Sequence, residues 1–177
     1  MTATRYDRRM YAVMNDRRAA AAYATVTRRR VLVGAHIVLT VAGVAAWIGT
    51  VFGPGYGPAI VVAVLLLPWV LLTGMLNGST RGLLELRGRM LDERQLVERD
   101  QVRALAHRIT LWLLVAVVVA AGSYGVLTDE PLRAAVTPVL VGVLAAHWMM
   151  PLWVAGLRVE DDLADDMGDI GEVGAEA

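Results

Sequence analysis

The sequence predicts an all-α fold in which four transmembrane helices form two antiparallel hairpins joined by a cytoplasmic amphipathic helix, with both termini inside. Three observations lead there. Four apolar runs, Val31 to Phe52, Pro58 to Leu76, Thr110 to Leu127 and Ala134 to Leu157, contain no Arg, Lys, Asp or Glu. Each approaches the ~20 residues that a helix needs to cross a ~30 Å hydrocarbon layer. Hydrophobic residues form 56% of the chain, and they run together instead of alternating, so a β-barrel is the wrong reading. Finally, Arg is distributed unevenly along the chain, which sets the orientation.

Residues 1–30 form a basic segment with eight Arg against Asp7 and Asp16, a net charge of +6. The first run starts only after a thirty-residue segment carrying ten charged residues and contains Trp47, unlike a cleaved secretory signal, so it reads as a retained first span. Between the first and second runs, Phe52-Gly-Pro-Gly-Tyr-Gly-Pro has room only to reverse the chain, making a tight hairpin. The segment from Asn77 to Ile109 carries seven Arg against five acids and belongs inside with the amino-terminal segment. The connection Thr128 to Arg133 carries Asp129 and Glu130 and belongs outside. The chain thus divides into a basic segment (1–30), a four-span membrane domain (31–157) with a cytoplasmic link (77–109), and an acidic tail (158–177). Its expected location is the cytoplasmic membrane, as a multi-pass protein with both termini inside.

The link reads as helix in two pieces. Ser79 and Thr80 are placed to cap the first, and Asp92 with Gln95 forms a capping box for the second. Leu83, Leu86, Met90 and Val97, with Leu91, Val102, Leu105 and Ile109 near the same faces, recur at helical spacing. The charged side is a solvated face on the plainer reading and a docking face for a partner on the sharper one. Its residues are Leu91, Asp92, Glu93, Arg94, Arg99, Asp100 and Arg108. The string Leu91-Asp92-Glu93-Arg94, then Arg99-Asp100, Leu105-Ala106 and Arg108-Ile109 before a span, resembles a cytoplasmic signature of a group of prokaryotic multi-span membrane proteins with no established activity. The resemblance implies a structural class. Some members accompany small DNA-binding regulators, so it faintly implies a sensor or a partner of a cytoplasmic regulatory protein.

Residues 5–26 are weakly amphipathic and basic, suited to enforcing topology or to lying on an anionic inner leaflet. Nothing resembles a nucleic-acid recognition module, so no specific nucleic-acid binding is expected. Eight acids and no base follow Arg158, the pattern of a solvated tail, with contact to the basic amino-terminal segment as the sharper alternative.

Within the spans the informative polar residue is His147, four positions before Pro151 in the last run. Pro151 removes the hydrogen bond to the His147 carbonyl, which predicts a kink. A histidine there is either hydrogen-bonded across a helix interface or placed near a proton, ion or ligand path. Helix packing is expected at Ala42/Ala46, Ala45/Gly49, Ala116/Ala120, Ala121/Gly125 and Gly142/Ala146. With no Cys, carboxylate pair, phosphate loop or metal-ligand spacing, the sequence implies no cofactor and points away from an enzyme. The expected role is an accessory, sensor or regulatory membrane protein working through protein contacts, with the lipid bilayer and a second copy or regulatory protein as partners. A small oligomeric transporter or channel with His147 near the pathway is the alternative.

Overall fold

A computed structural model describes residues 4–14, 25–127 and 133–158, all of them helix, turn or short connection with no strand. The helices are α1 (Arg5–Met14), α2 (Val26–Phe52), α3 (Gly57–Ser79), α4 (Glu93–Leu127) and α5 (Arg133–Arg158), with one 3-10 turn at Gly88–Met90. Four of them, α2 to α5, are long and apolar enough to cross a bilayer. The acidic tail lies outside the described residues.

Helix α2 begins five residues before its apolar run because Thr25 accepts a hydrogen bond from the Arg28 amide at 3.3 Å, capping the first turn. It stops at Gly53, whose extended backbone leads into the Gly/Pro turn, and Pro58 starts α3 at a position where a missing N–H costs nothing. Helix α5 continues through Pro138 and Pro151.

The link departs from its expected two helical pieces. Beyond Ser79 the chain runs through turns to the 3-10 segment, and only from Glu93 does helix resume, continuing without a break into the third span. Ser79 and Thr80 do not cap a following helix. Their hydroxyls donate back to the carbonyls of Leu76 (2.7 Å) and Asn77 (3.1 Å), and Arg81 and Gly82 then take positive φ and end α3. The second piece has the expected cap: Gln95 N–H donates to Asp92 Oδ1 at 2.7 Å, and Asp92 N–H donates to Gln95 Oε1 at 3.2 Å.

Packing places α2 against α3 and α5, and α5 against α2 and α4, with a lighter contact between α3 and α5. Helix α5 is the most enclosed span and α3 the least. The core is concentrated at the link end of the spans. One cluster joins Val33 of α2, Leu76 of α3 and Met149, Leu152 and Trp153 of α5. A second joins Leu83 of the link, Val102 and Ala106 of α4, and Val154 and Ala155 of α5. Among the described residues, Pro138 is the one fully buried side chain near the opposite end. Outward faces carry Val38, Val64, Leu67, Trp112, Val118 and Leu144, all exposed, as lipid-facing helices require. Of the small-residue positions, Gly49 lies against Pro58 and Gly142 against Val44, whereas Ala116 and Ala120 face outward.

Candidate functional site

Two polar constellations stand out, one between the spans and one at the link. The first is built on α2, where Arg29, Val33, His36 and Thr40 recur at helical spacing and are all buried. His36 is fully enclosed among α2, α3 and α5. The indole N–H of Trp153 donates to its Nδ1 at 2.9 Å, so the ring proton resides on Nε2, which donates to Thr73 Oγ1 at 2.9 Å. Thr73 in turn donates to the Trp69 carbonyl at 2.8 Å. The Trp69 indole donates to Thr40 Oγ1 at 2.9 Å, and Thr40 donates to the His36 carbonyl at 2.8 Å. Trp69 lies tilted over the imidazole at 5.1 Å between ring centroids, and Trp153 meets it edge-on at 6.0 Å.

Both ring nitrogens of His36 and both indole N–H groups are engaged. The cluster is a closed hydrogen-bonded pin through three spans, and its polarity is consumed internally. Thr40 and Trp69 also form the polar end of an apolar cleft of about 220 Å³ bounded by Leu39, Val44, Trp47, Leu66 and Val141.

The structure brings His147 to neither the pin nor the core. It is exposed on the outer side of α5 beside Trp148, which is 73% exposed, and Pro151 lies half-buried one turn on. The expected partner face is divided. Leu91 is turned inward, Asp92 is used by the capping box, and half-buried Arg99 donates to the Leu86 carbonyl at 3.4 Å. Glu93, Arg94, Asp100 and Arg108 remain exposed. Val97 and Ile109 are also exposed, because the buried stripe of α4 runs through Val102, Ala106 and Thr110 instead.

The second constellation clasps α1 to the link. Thr4 and Asp7 form a reciprocal cap: the Thr4 amide and hydroxyl donate to Asp7 Oδ2 at 2.8 and 2.7 Å, and the Asp7 amide donates to the Thr4 hydroxyl at 3.2 Å. Arg89 Nη2 donates to the same carboxylate oxygen, and Arg87 Nε lies 3.6 Å from the other. The Arg87 guanidinium also sits over the Tyr6 ring, 5.9 Å from its centroid. Asp7 is 2% exposed.

At the other end of α1, Met14 covers Gly82. A Cβ on Gly82 would lie 2.9 Å from Met14 Cγ, and its φ of +71° already favours glycine. The Thr4 hydroxyl does most to hold the Asp7 carboxyl below its ordinary 3.8; burial opposes it, and the Thr4 amide and Arg89 add to it. Because the folded site holds this carboxyl below the value of a free one, the carboxylate contributes to the stability of the Thr4–Asp7–Arg89 site above about pH 3.8 and loses that contribution as pH falls through the lowered value. A spin label on Val13→Cys should therefore stay equally immobile from pH 7 to 5 and gain mobility only below that ordinary value. Mobility rising already near pH 6 would contradict the assignment.

The sequence reading missed His36 and Asp7 as organising residues. The polar pairs His36/Thr40 and Trp69/Thr73, each four apart on successive spans, were the available signal for the pin. Thr4-x-x-Asp7 was the signal for the clasp. Together, four long apolar helices pinned from within and capped at one end by a folded polar base define the class of an all-helical, multi-pass membrane protein. No protein-family model, curated protein or solved structure matches this chain.

Proposed function

We propose that the chain is an accessory, sensor or regulatory protein of the cytoplasmic membrane, with both termini and the link on the cytoplasmic side, acting through protein contacts of its base and tails. The division of polarity carries this reading. Between the spans, His36, Thr40, Trp69, Thr73 and Trp153 satisfy one another. At the link end, Glu93, Arg94, Asp100 and Arg108 project from a helix fixed by its capping box. The Arg-rich segments flanking the spans support the orientation. A charged surface on a capped helix next to the spans suits recognition of a protein.

The test uses the absence of native cysteine. Photo-crosslinkers on Glu93→Cys and Asp100→Cys should capture the same polypeptide in membranes, and Arg94→Glu with Arg108→Glu should abolish that capture at unchanged expression. Capture of nothing but lipid at both positions would end the proposal. For orientation, Gly55→Cys should react with an impermeant thiol reagent in intact cells and Arg94→Cys should not.

One observation favours a second reading, an oligomeric transporter or channel. His147 and Trp148 face outward, where a second copy of α5 would place two imidazoles together. Solute flux in liposomes, lost on His147→Ala with folding intact, would support that reading over the first.

A further inference from the structure

We infer that Arg87 and Arg89 form a phosphate-binding site that Asp7 occupies in the chain's own closed form, so that α1 is a clasp which a phosphate-bearing anion displaces. The argument begins with a mismatch of donors and acceptors. Two guanidinium groups carry ten N–H donors, whereas one carboxylate offers about four lone-pair positions, and Thr4 already uses part of these. Asp7 Oδ1 is buried without a hydrogen-bond partner, since Arg87 Nε at 3.6 Å makes only an ion pair with it.

The Arg87 side chain remains 60% exposed and that of Arg89 26% exposed. Among the described residues, the two arginines exceed the one carboxylate paired with them by one positive charge. A phosphate group brings more oxygens and more charge than a carboxylate, and guanidinium forks match its geometry. The carboxylate of Asp7 thus satisfies the arginines incompletely, and the remaining donors stay accessible from outside.

Position supplies the rest. Helix α1 packs on α3, whose last turn at Ser79 leaves the apolar span, so the fork lies where a lipid headgroup or a dissolved phosphate can reach it. Arg5, Arg8 and Arg9 lie exposed on α1 while Asp7, Met10 and Met14 face the link side, so the same helix turns its basic face outward when docked. Displacement of Asp7 would free that helix together with its charges. The inference does not depend on the protein-partner reading.

The test begins with the full chain in dodecyl maltoside, which supplies no phosphate, spin-labelled at Val13→Cys. The label should be immobile there. Inorganic phosphate, compared with chloride at equal ionic strength, should mobilise it if the source is a dissolved anion. Transfer to phosphatidylglycerol nanodiscs should mobilise it if the source is a headgroup. No response in either arm, with the melting curve unchanged, overturns the inference.

A second measurement is independent of the label. A clasp shut about nine-tenths of the time lowers apparent affinity about tenfold, so Asp7→Asn should bind inorganic phosphate about tenfold more tightly by calorimetry. Adding Arg87→Ala and Arg89→Ala to that variant should remove the binding. Equal affinity in the native chain and Asp7→Asn, or binding that survives loss of both arginines, is the overturning result. Because the fork lies outside both apolar clusters, these variants leave the spans folded, and an unchanged Trp fluorescence spectrum verifies this.

Discussion

Replacing His36 with Ala is expected to destabilise the chain by about 3 kcal/mol. Interhelical hydrogen bonds in membranes average about 0.6 kcal/mol and reach about 1.7, so losing those to Thr73 and Trp153 accounts for about 1–3 kcal/mol. The cavity left by a fully enclosed ring adds to this, as large-to-small substitutions in cores do. Two companion variants separate these effects. His36→Phe fills the space but leaves the Trp153 indole and the Thr73 hydroxyl without the imidazole, whereas His36→Gln keeps an acceptor and a donor on one side chain. Reversible unfolding in mixed micelles should rank them native, then Gln, then Phe and Ala. If Phe equals the native chain, the hydrogen bonds contribute nothing and the pin is only packing.

The second large effect belongs to Gly156. A Cβ there would lie 2.9 Å from Val33 Cγ2 and 3.5 Å from Leu76 Cδ2, so Gly156→Leu drives a branched side chain into the cluster that joins α2, α3 and α5. Overpacking of this kind costs about 1–3 kcal/mol, and here relief requires α5 to move off α2. The movement can be read at a distance. Gly142 approaches Val44 closely enough that a Cβ would lie 3.1 Å from Val44 Cγ1, so Val44→Cys with Gly142→Cys should form a disulfide on mild oxidation. With Gly156→Leu added, that disulfide should form several-fold more slowly. An unchanged rate would mean that α5 is held on α2 by something other than this contact.

The spans were legible because burial in lipid acts on composition over some twenty residues, a signal that survives any detail of packing. The capping box at Asp92 and Gln95 was equally legible, being a local bond between side chains and backbone three residues apart. The first half of the link was not. Its apolar residues recur at helical spacing, but Arg81 and Gly82 take positive φ, and Leu83 and Leu86 are buried from turns instead of from a helix. Here the spacing recorded that Leu83 and Leu86 are buried, and it was silent about the backbone that delivers them.

The polar site was harder still. His147 stands out in sequence because it lies deep in a run beside a proline, yet it faces outward, while His36, nearer the end of its run, lies at the centre of a three-helix network. The difference depends on which face α2 and α5 turn toward each other, and the hydropathy of either helix does not contain that information. Asp7 was hidden for a related reason. Its main bonds beyond Thr4 reach Arg89, more than eighty residues away, and only the folded link brings that guanidinium to it.

The uneven distribution of the core has a mechanical consequence. Among the described residues, nearly all the enclosed side chains lie toward one pole of the spans, and beyond the Thr40–Trp69 level an open apolar cleft lies between α2, α3 and α5, with Gly49 close to Pro58 and Gly142 close to Val44. The three helices are thus tied together by packing and hydrogen bonds at one pole and part around a gap at the other, like tongs riveted near the grip.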